Sequence, residues 1–311
     1  MVGVGRRDIT VQGANIEAVG QAEAAIERID VSGSYLAPAF IDAHVHLTYF
    51  RAAEALLSRG VAAAVDLAAP LDSLTLSVAP LTLLQSGPMV TAIGGYPTAS
   101  WGSAGYGLEV ASREAAEAAV DQLFKAGAAI IKVPFTGEPT LSDEIASAVV
   151  ARAHAHELKV VAHALSSAEA ERAANAGVDL FAHTPTGALT ETTLAAFSSR
   201  AVVSTLAAFG GSAQTVANLK ALRARGTTVL YGTDLGNTRD AGIQASEIEL
   251  LELSGLDGSA ILEAGTSAPA RYFGLSSLGE LAVGKRAAIL VLAEDPQAEP
   301  KTLAAPRAVY I

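Results

Sequence analysis

Short apolar runs alternate with helical stretches eight times across the middle of the chain, and this alternation limits the fold more than any other feature. The runs fall at 40–45, 61–67, 89–93, 128–133, 159–164, 178–182, 201–205 and 227–231. Strands that are apolar throughout need cover on both faces. Helices packed between parallel strands supply that cover. Helices are expected at 53–58, 71–84, 112–126, 142–157, 167–176, 189–197, 214–225, 243–254 and 258–272. Ser112 suits an N-cap, Gly127 a helix end, and Asp143 with Glu144 the positive end of the next helix. Eight strand–helix units over ~240 residues predict an α/β fold of the (β/α)8 TIM-like barrel type, with a doubly wound open sheet as the alternative.

The flanks have a different texture. Strands are expected at 8–11 and 25–31, then at 281–283, 287–293 and 308–311. Short strands need partners, and a barrel brings its two ends near each other. Residues 1–37 and 276–311 are therefore expected to pair into a small β-sandwich domain, leaving 38–275 as the barrel.

Composition excludes several classes of function. A net charge of -11 and only 17% charged residues argue against nucleic acid and anionic membrane as partners. Half of the residues are hydrophobic, which suits many buried strands and makes a homo-oligomer plausible. No apolar run reaches the ~18 residues of a membrane span, and none near Arg6 and Arg7 has signal-peptide character, so a cytoplasmic location is expected. With no cysteine, any metal site must use His, carboxylate or a modified side chain.

Barrel enzymes carry their chemistry at the C-terminal ends of the strands. On the first strand, Asp42, His44 and His46 share one face and Ile41, Ala43 and Val45 the other, because the period is two. Two imidazoles at i and i+2 can converge on one ion. The fourth strand carries Lys132, the fifth His163, the sixth His183, and the eighth ends in Asp234. Four of the six histidines thus sit at strand ends. The other two, His154 and His156, fall on a helix and are expected to face solvent.

With these positions in order, the chain resembles the amidohydrolase superfamily, in particular its imidazolonepropionase-like and prolidase-like branch. Residues 36–47 resemble that family's opening signature, with Ala39 where Gly is usual. Residues 126–133 resemble the strand of its bridging lysine, and 160–164 with 176–183 its two later His strands. The short gap from His163 to His183 sets this branch apart from the dihydroorotase-like one. Residues 232–234 resemble the strand end of the family's aspartate, and 278–296 its last β-strands.

The resemblance implies two divalent metal ions, zinc first, with manganese, cobalt or iron as alternatives. His44, His46 and Asp234 would hold one ion, and His163 and His183 the other. Lys132, as N6-carboxylysine, would bridge them. A metal-activated hydroxide would attack, with Asp234 as general base and acid, and the substrate would be a small molecule with an amide bond, cyclic or peptide-like. The chemistry is coherent: burial lowers a lysine's pKa, and a neutral amine reacts with carbon dioxide.

One departure concerns the loop after the third strand. Family members often carry Gly-Gly-His there; this chain has Gly94, Gly95 and Tyr96. Tyr96, Trp101 and Tyr106 are candidate substrate contacts, either on a lid or through ordinary loop packing, with Arg239 as a candidate carboxylate anchor. Asp42 and Asp66 are candidate partners for the metal ligands. A metal-dependent lyase, decarboxylase, isomerase or lactonase on the same barrel is the alternative, since fold does not fix reaction. A non-catalytic binder would have no need of Asp234 at its position.

Overall fold

Residues 2–3, 5–20 and 27–311 are described by this computed structural model. Its strands, in chain order, are β1 (Asp8–Gln12), β2 (Asn15–Gly20), β3 (Tyr35–Pro38), β4 (Phe40–Val45) and β5 (Val61–Asp66). They continue with β6 (Thr82–Gln85), β7 (Met89–Ala92), β8 (Gly107–Val110), β9 (Ile131–Pro134) and β10 (Val160–His163). The last are β11 (Leu180–Phe181), β12 (Ala201–Val203), β13 (Thr228–Leu230), β14 (Ile289–Leu292) and β15 (Ala308–Tyr310).

The fold is α/β with parallel pairing at its centre. Five strands pair in the order β13-β12-β11-β10-β9, and three in the order β4-β5-β6. The Ala43 N–H donates to the Tyr231 carbonyl at 2.9 Å and the His46 N–H to Leu235 at 2.7 Å, joining β4 to the chain leaving β13. At the other side the Ala129 N–H donates to Gln85 at 2.8 Å, joining the end of β6 to the approach to β9. These hydrogen bonds link the two parallel sheets at both edges.

Alternation explains why the strands are apolar throughout. On β10, Val160 and Ala162 enter one apolar layer while Val161 enters another. On β12, Val202 enters the first layer, and Ala201 and Val203 the second. Each strand is thus buried on both faces. β4 departs from strict alternation, with register shifts between Phe40 and Ile41 and between Asp42 and Val45. Ala43 consequently packs in a different layer from Ile41 and Val45, although period two would group the three.

The expected helix ends hold where capping chemistry was readable. Ser112, Ser142 and Ser166 accept N-cap hydrogen bonds, and Gly127 and Gly177 close their helices in the left-handed conformation. Five expectations are corrected. Residues 71–84 do not form a helix: a 3-10 turn at Leu71–Thr75 is followed by β6, because Pro80 lacks the N–H that a helix needs. β6 occupies the place beside β5, whereas β7 pairs with β8 in a separate two-stranded parallel sheet. The helix expected at 258–272 is split, with Gly258–Gly265 and Ser267–Tyr272 meeting at Thr266. Residues 281–283 form no strand, and of the strand expected at 25–31, residues 25–26 lie outside the described residues while 27–31 are irregular.

The two flanks do pair. β14 runs antiparallel to both β3 and β15. The β1–β2 hairpin joins through Ile16, whose N–H donates to Lys285 at 2.8 Å. Ile16, Leu36, Leu281, Ile289 and Val291 bury together there. Among the described residues no helix is long and apolar enough to cross a membrane.

Candidate metal and active site

The chain leaving β4 and the chain leaving β13 meet at one point. His44 Nε2 lies 3.2 Å from His46 Nε2. Asp234 Oδ1 lies 3.4 Å from His44 Nε2 and 3.2 Å from His46 Nε2. All three residues are buried, and their ligand atoms lie within 4.8 Å of one another, a group that could hold a metal ion. Asp234 reaches this point from a left-handed backbone, φ 51°, unusual for a residue with a side chain. Asn237 Nδ2 donates to its other oxygen at 3.1 Å, which leaves Oδ1 facing the imidazoles.

β10 and the chain leaving β11 supply a second pair. His183 Nε2 lies 3.0 Å from His163 Nδ1. The His44 and His183 rings are 4.6 Å apart, so the two pairs adjoin. Lys132 enters from β9, beside Val161 of β10, and is fully buried. Among the described residues its Nζ has no hydrogen-bond partner, nor has Asp234 Oδ1 or His46 Nδ1. Buried polar atoms without partners are rare in folded proteins and need a reason. A cation facing Asp234 and an anionic group on Lys132 would give two of them partners, so the residues present fit a metal centre.

The electrostatics agree with this fit. Burial lowers the Lys132 ammonium to about 7, although Asp234 pulls the other way. Burial likewise holds His163 down at about 3, helped by Lys132, and holds His44 and His183 well below the usual histidine value. Neutral imidazoles are the form that binds metal. For Asp234, burial pushes upward but is outweighed by His44, His46 and Asn237, so its carboxyl stays ionised well below the usual range.

Two of the ring nitrogens turned away from the site are held by a carbonyl and a hydroxyl. His44 Nδ1 lies 2.9 Å from the Ala182 carbonyl, and His183 Nδ1 lies 3.1 Å from Thr205 Oγ1. Asp42 instead accepts from the N–H groups of His44 and Thr233, and from Thr233 Oγ1 at 2.6 Å, tying β4 to the Asp234 loop. Burial pushes Asp42 up to about 7. Asp66 accepts from Thr48 and the Ala68 N–H. Neither carboxylate hydrogen-bonds an imidazole.

The four strand-end histidines, Lys132 and Asp234 line a cavity of about 350 Å³, and Tyr96, Trp101 and Arg239 line it with them. Tyr106 is not on that wall; it is buried behind Trp101, ring centres 5.2 Å apart. Arg239 lies over the rings of Phe50 and Tyr49, at 4.7 and 5.6 Å. His154 and His156 stand outside the cavity, His154 on Asp179 and His156 stacked on Phe124 and bonded to Asp121, so His156 is not simply solvent-facing. Sequence reasoning missed Tyr49, Met89, Phe209 and Asn237, which also line the cavity. Asn237 was findable as a polar residue one turn beyond Asp234; Phe209 carries no signal of its own.

A sequence model described as the Amidohydrolase family matches residues 35–311, which includes every site residue above. The chain belongs to the amidohydrolase family. Solved structures similar to it include a Xaa-Pro dipeptidase with bound methionine in the active site (19% identity, 97% of this chain and 91% of that one, TM-score 0.80). A candidate prolidase from Bifidobacterium longum is 25% identical over 95% of this chain and 85% of that one, TM-score 0.81. The ochratoxinase of A. niger is 19% identical over 99% and 90%, TM-score 0.74. No curated protein matches by sequence. The chain is thus an amidohydrolase-family hydrolase with a buried metal-site candidate at His44, His46 and Asp234.

Proposed function

We propose that this amidohydrolase is a two-metal enzyme that hydrolyses the amide C–N bond of a small molecule, either a cyclic amide or a peptide-like compound. The observation that carries the reading is the fully buried Lys132 Nζ, which among the described residues has no hydrogen-bond partner and stands among imidazoles and a carboxylate. His44, His46 and Asp234 would hold one ion, His163 and His183 the other, and Lys132, carboxylated, would bridge them. Zinc suits the donor set best, ahead of manganese, cobalt and iron. Bound ions would acidify a water and polarise the scissile carbonyl.

The chain's own groups supply the remaining roles. The Asp234 carboxylate accepts the water proton and returns it to the leaving nitrogen, with Asn237 donating to Oδ2. Tyr96, Trp101 and Arg239 face the substrate. A cavity of about 350 Å³ suits a small molecule. In this reading the parallel strands form a (β/α)8 barrel over 38–275, with 1–37 and 276–311 as a β-sandwich domain.

The test is metal analysis joined to a substrate panel. Protein loaded with zinc and bicarbonate should hold close to two equivalents and release amine from a dipeptide, lactam or hydantoin-like ring. Well under one equivalent, with no gain from zinc and bicarbonate, overturns the two-metal reading. Turnover of lactones alone would move the assignment to a lactonase.

A further inference from the structure

The loop after Asp234 sets a second polar side chain against the same carboxylate. Asn237 lines the cavity, and its Nδ2 donates to Asp234 Oδ2 at 3.1 Å. An ionised carboxylate only accepts, so the Asn237 amide must turn its NH2 towards Asp234. Its carbonyl oxygen, Oδ1, then turns away from that carboxylate. Among the described residues no group donates to Asn237 Oδ1. Among the described side chains that line the cavity, Asn237 alone carries a neutral carbonyl.

The backbone around this amide is held on both sides. The N–H groups of Asn237 and Thr238 donate to the Asp234 carbonyl at 3.0 and 2.9 Å, and the Gly236 N–H donates to the Thr238 carbonyl at 2.8 Å. Thr238 Oγ1 donates to the Thr233 carbonyl at 3.0 Å. A nitrogen that takes a proton from Asp234 must come within hydrogen-bond reach of its carboxylate. Asn237 already stands at that distance, so the same nitrogen arrives beside the Asn237 amide. An acceptor fixed there pairs with a nitrogen that carries hydrogen. Against a nitrogen that carries only carbon it stays unpaired.

We propose that Asn237 determines specificity at the scissile nitrogen: its Oδ1 accepts that nitrogen's N–H, so the site takes secondary amides and discriminates against amides whose nitrogen is fully substituted. Peptide bonds to primary amino acids, and lactams or hydantoins with a free N–H, belong to the favoured class; a bond to a proline nitrogen does not. The proposal rests on the hydrolase reading of the same cavity and narrows its substrate class. As the C–N bond breaks, the water oxygen joins the carbonyl carbon and the water proton reaches the nitrogen through Asp234. The nitrogen keeps its own hydrogen, held by Asn237, and leaves as a primary amine. A site that pairs with a substrate N–H rejects the analogue lacking it. Asn237 is exposed, so water replaces part of the lost bond and the discrimination is about ten-fold.

The test uses pairs that differ by one methyl group on the scissile nitrogen: a dipeptide ending in glycine against its sarcosine counterpart, and a lactam against its N-methyl lactam. Zinc-loaded wild type should favour the N–H member about ten-fold in kcat/KM, and Asn237→Ala should bring that ratio close to one. A residue that only supports the loop would lower both members alike and leave the ratio unchanged; that result overturns the proposal, as does a wild type that cleaves both members equally. Binding gives a second readout. Trp101 is the only tryptophan in the chain and lines the cavity, so its emission reports ligand entry. The methylphosphonamidates of glycine and of sarcosine, tetrahedral at phosphorus, should show the same preference in zinc-loaded wild type and lose it in Asn237→Ala. Turnover of amides with no N–H preference leaves the hydrolase reading standing and sinks the proposal. An Asn237-dependent N–H preference in binding, with no amide turned over, removes the hydrolase reading and keeps the N–H site. Neither turnover nor binding overturns both.

Discussion

Gly236 leaves no room for a side chain because His46 occupies the space. A Cβ built on Gly236 would lie 2.7 Å from the His46 Cβ, and its φ of 120° is one that other residues rarely adopt. The loop after Asp234 is thus fitted against the histidine that Asp234 faces. Gly236→Ala should push His46 from its position, at a cost of about 1–3 kcal/mol in stability. Zinc content should fall below that of the wild type, and the melting temperature should drop in the zinc-free protein as well. Unchanged zinc content would mean that the loop can move away without carrying the ligand.

Lys132 makes a pH prediction whose sign is fixed. Burial lowers its folded value to about 7, against an ordinary 10.5. Above about 7 the folded chain releases this proton while the unfolded chain keeps it up to 10.5. The unfolded state then binds more protons, so folded stability rises with pH across that window, by up to ~1.4 kcal/mol per unit. Below about 7 both states hold the proton and the full penalty applies. Urea unfolding of metal-free, bicarbonate-free protein between pH 7 and 9.5 should show this rise in the wild type and lack it in Lys132→Met. Parallel curves for the two proteins would refute the buried neutral amine.

The site was legible where a polar residue interrupts an apolar strand. Lys132, His163 and His183 stand out for that reason, and period two brings His44 and His46 to one cavity despite the register shifts in β4. The strand at Thr82–Gln85 was not legible, because leucines at 71, 74, 76, 81, 83 and 84 imitate a helical stripe, and only the pairing with β5 decides between the two. Phe209 and Glu247 were not legible either. An apolar residue in a turn and an acid on a helix are ordinary in sequence, and their roles come from contacts between distant segments.

Glu247 illustrates such a role and yields the last prediction. It lies on the helix Ala245–Leu253, fully buried, and accepts the N–H of Leu206 at 3.0 Å and of Ala207 at 2.7 Å. Burial raises its pKa, and these N–H groups with the Ser204 hydroxyl oppose the rise. Thr205, caught in the segment it grips, has φ 39° and lies 3.1 Å from His183 Nδ1. Phe209, beyond the grip, packs over the His183 ring at 4.6 Å. Glu247→Ala would leave two N–H groups, one buried and one half-buried, without an acceptor, at roughly 1–3 kcal/mol each. A loss of about 3 kcal/mol in urea unfolding is expected. If the grip positions His183 through Thr205, then Glu247→Ala, Thr205→Val and the double variant should weaken zinc binding by similar factors in a competition assay, not by multiplied ones. Weakened stability with unchanged zinc affinity in all three would confine Glu247 to holding the fold.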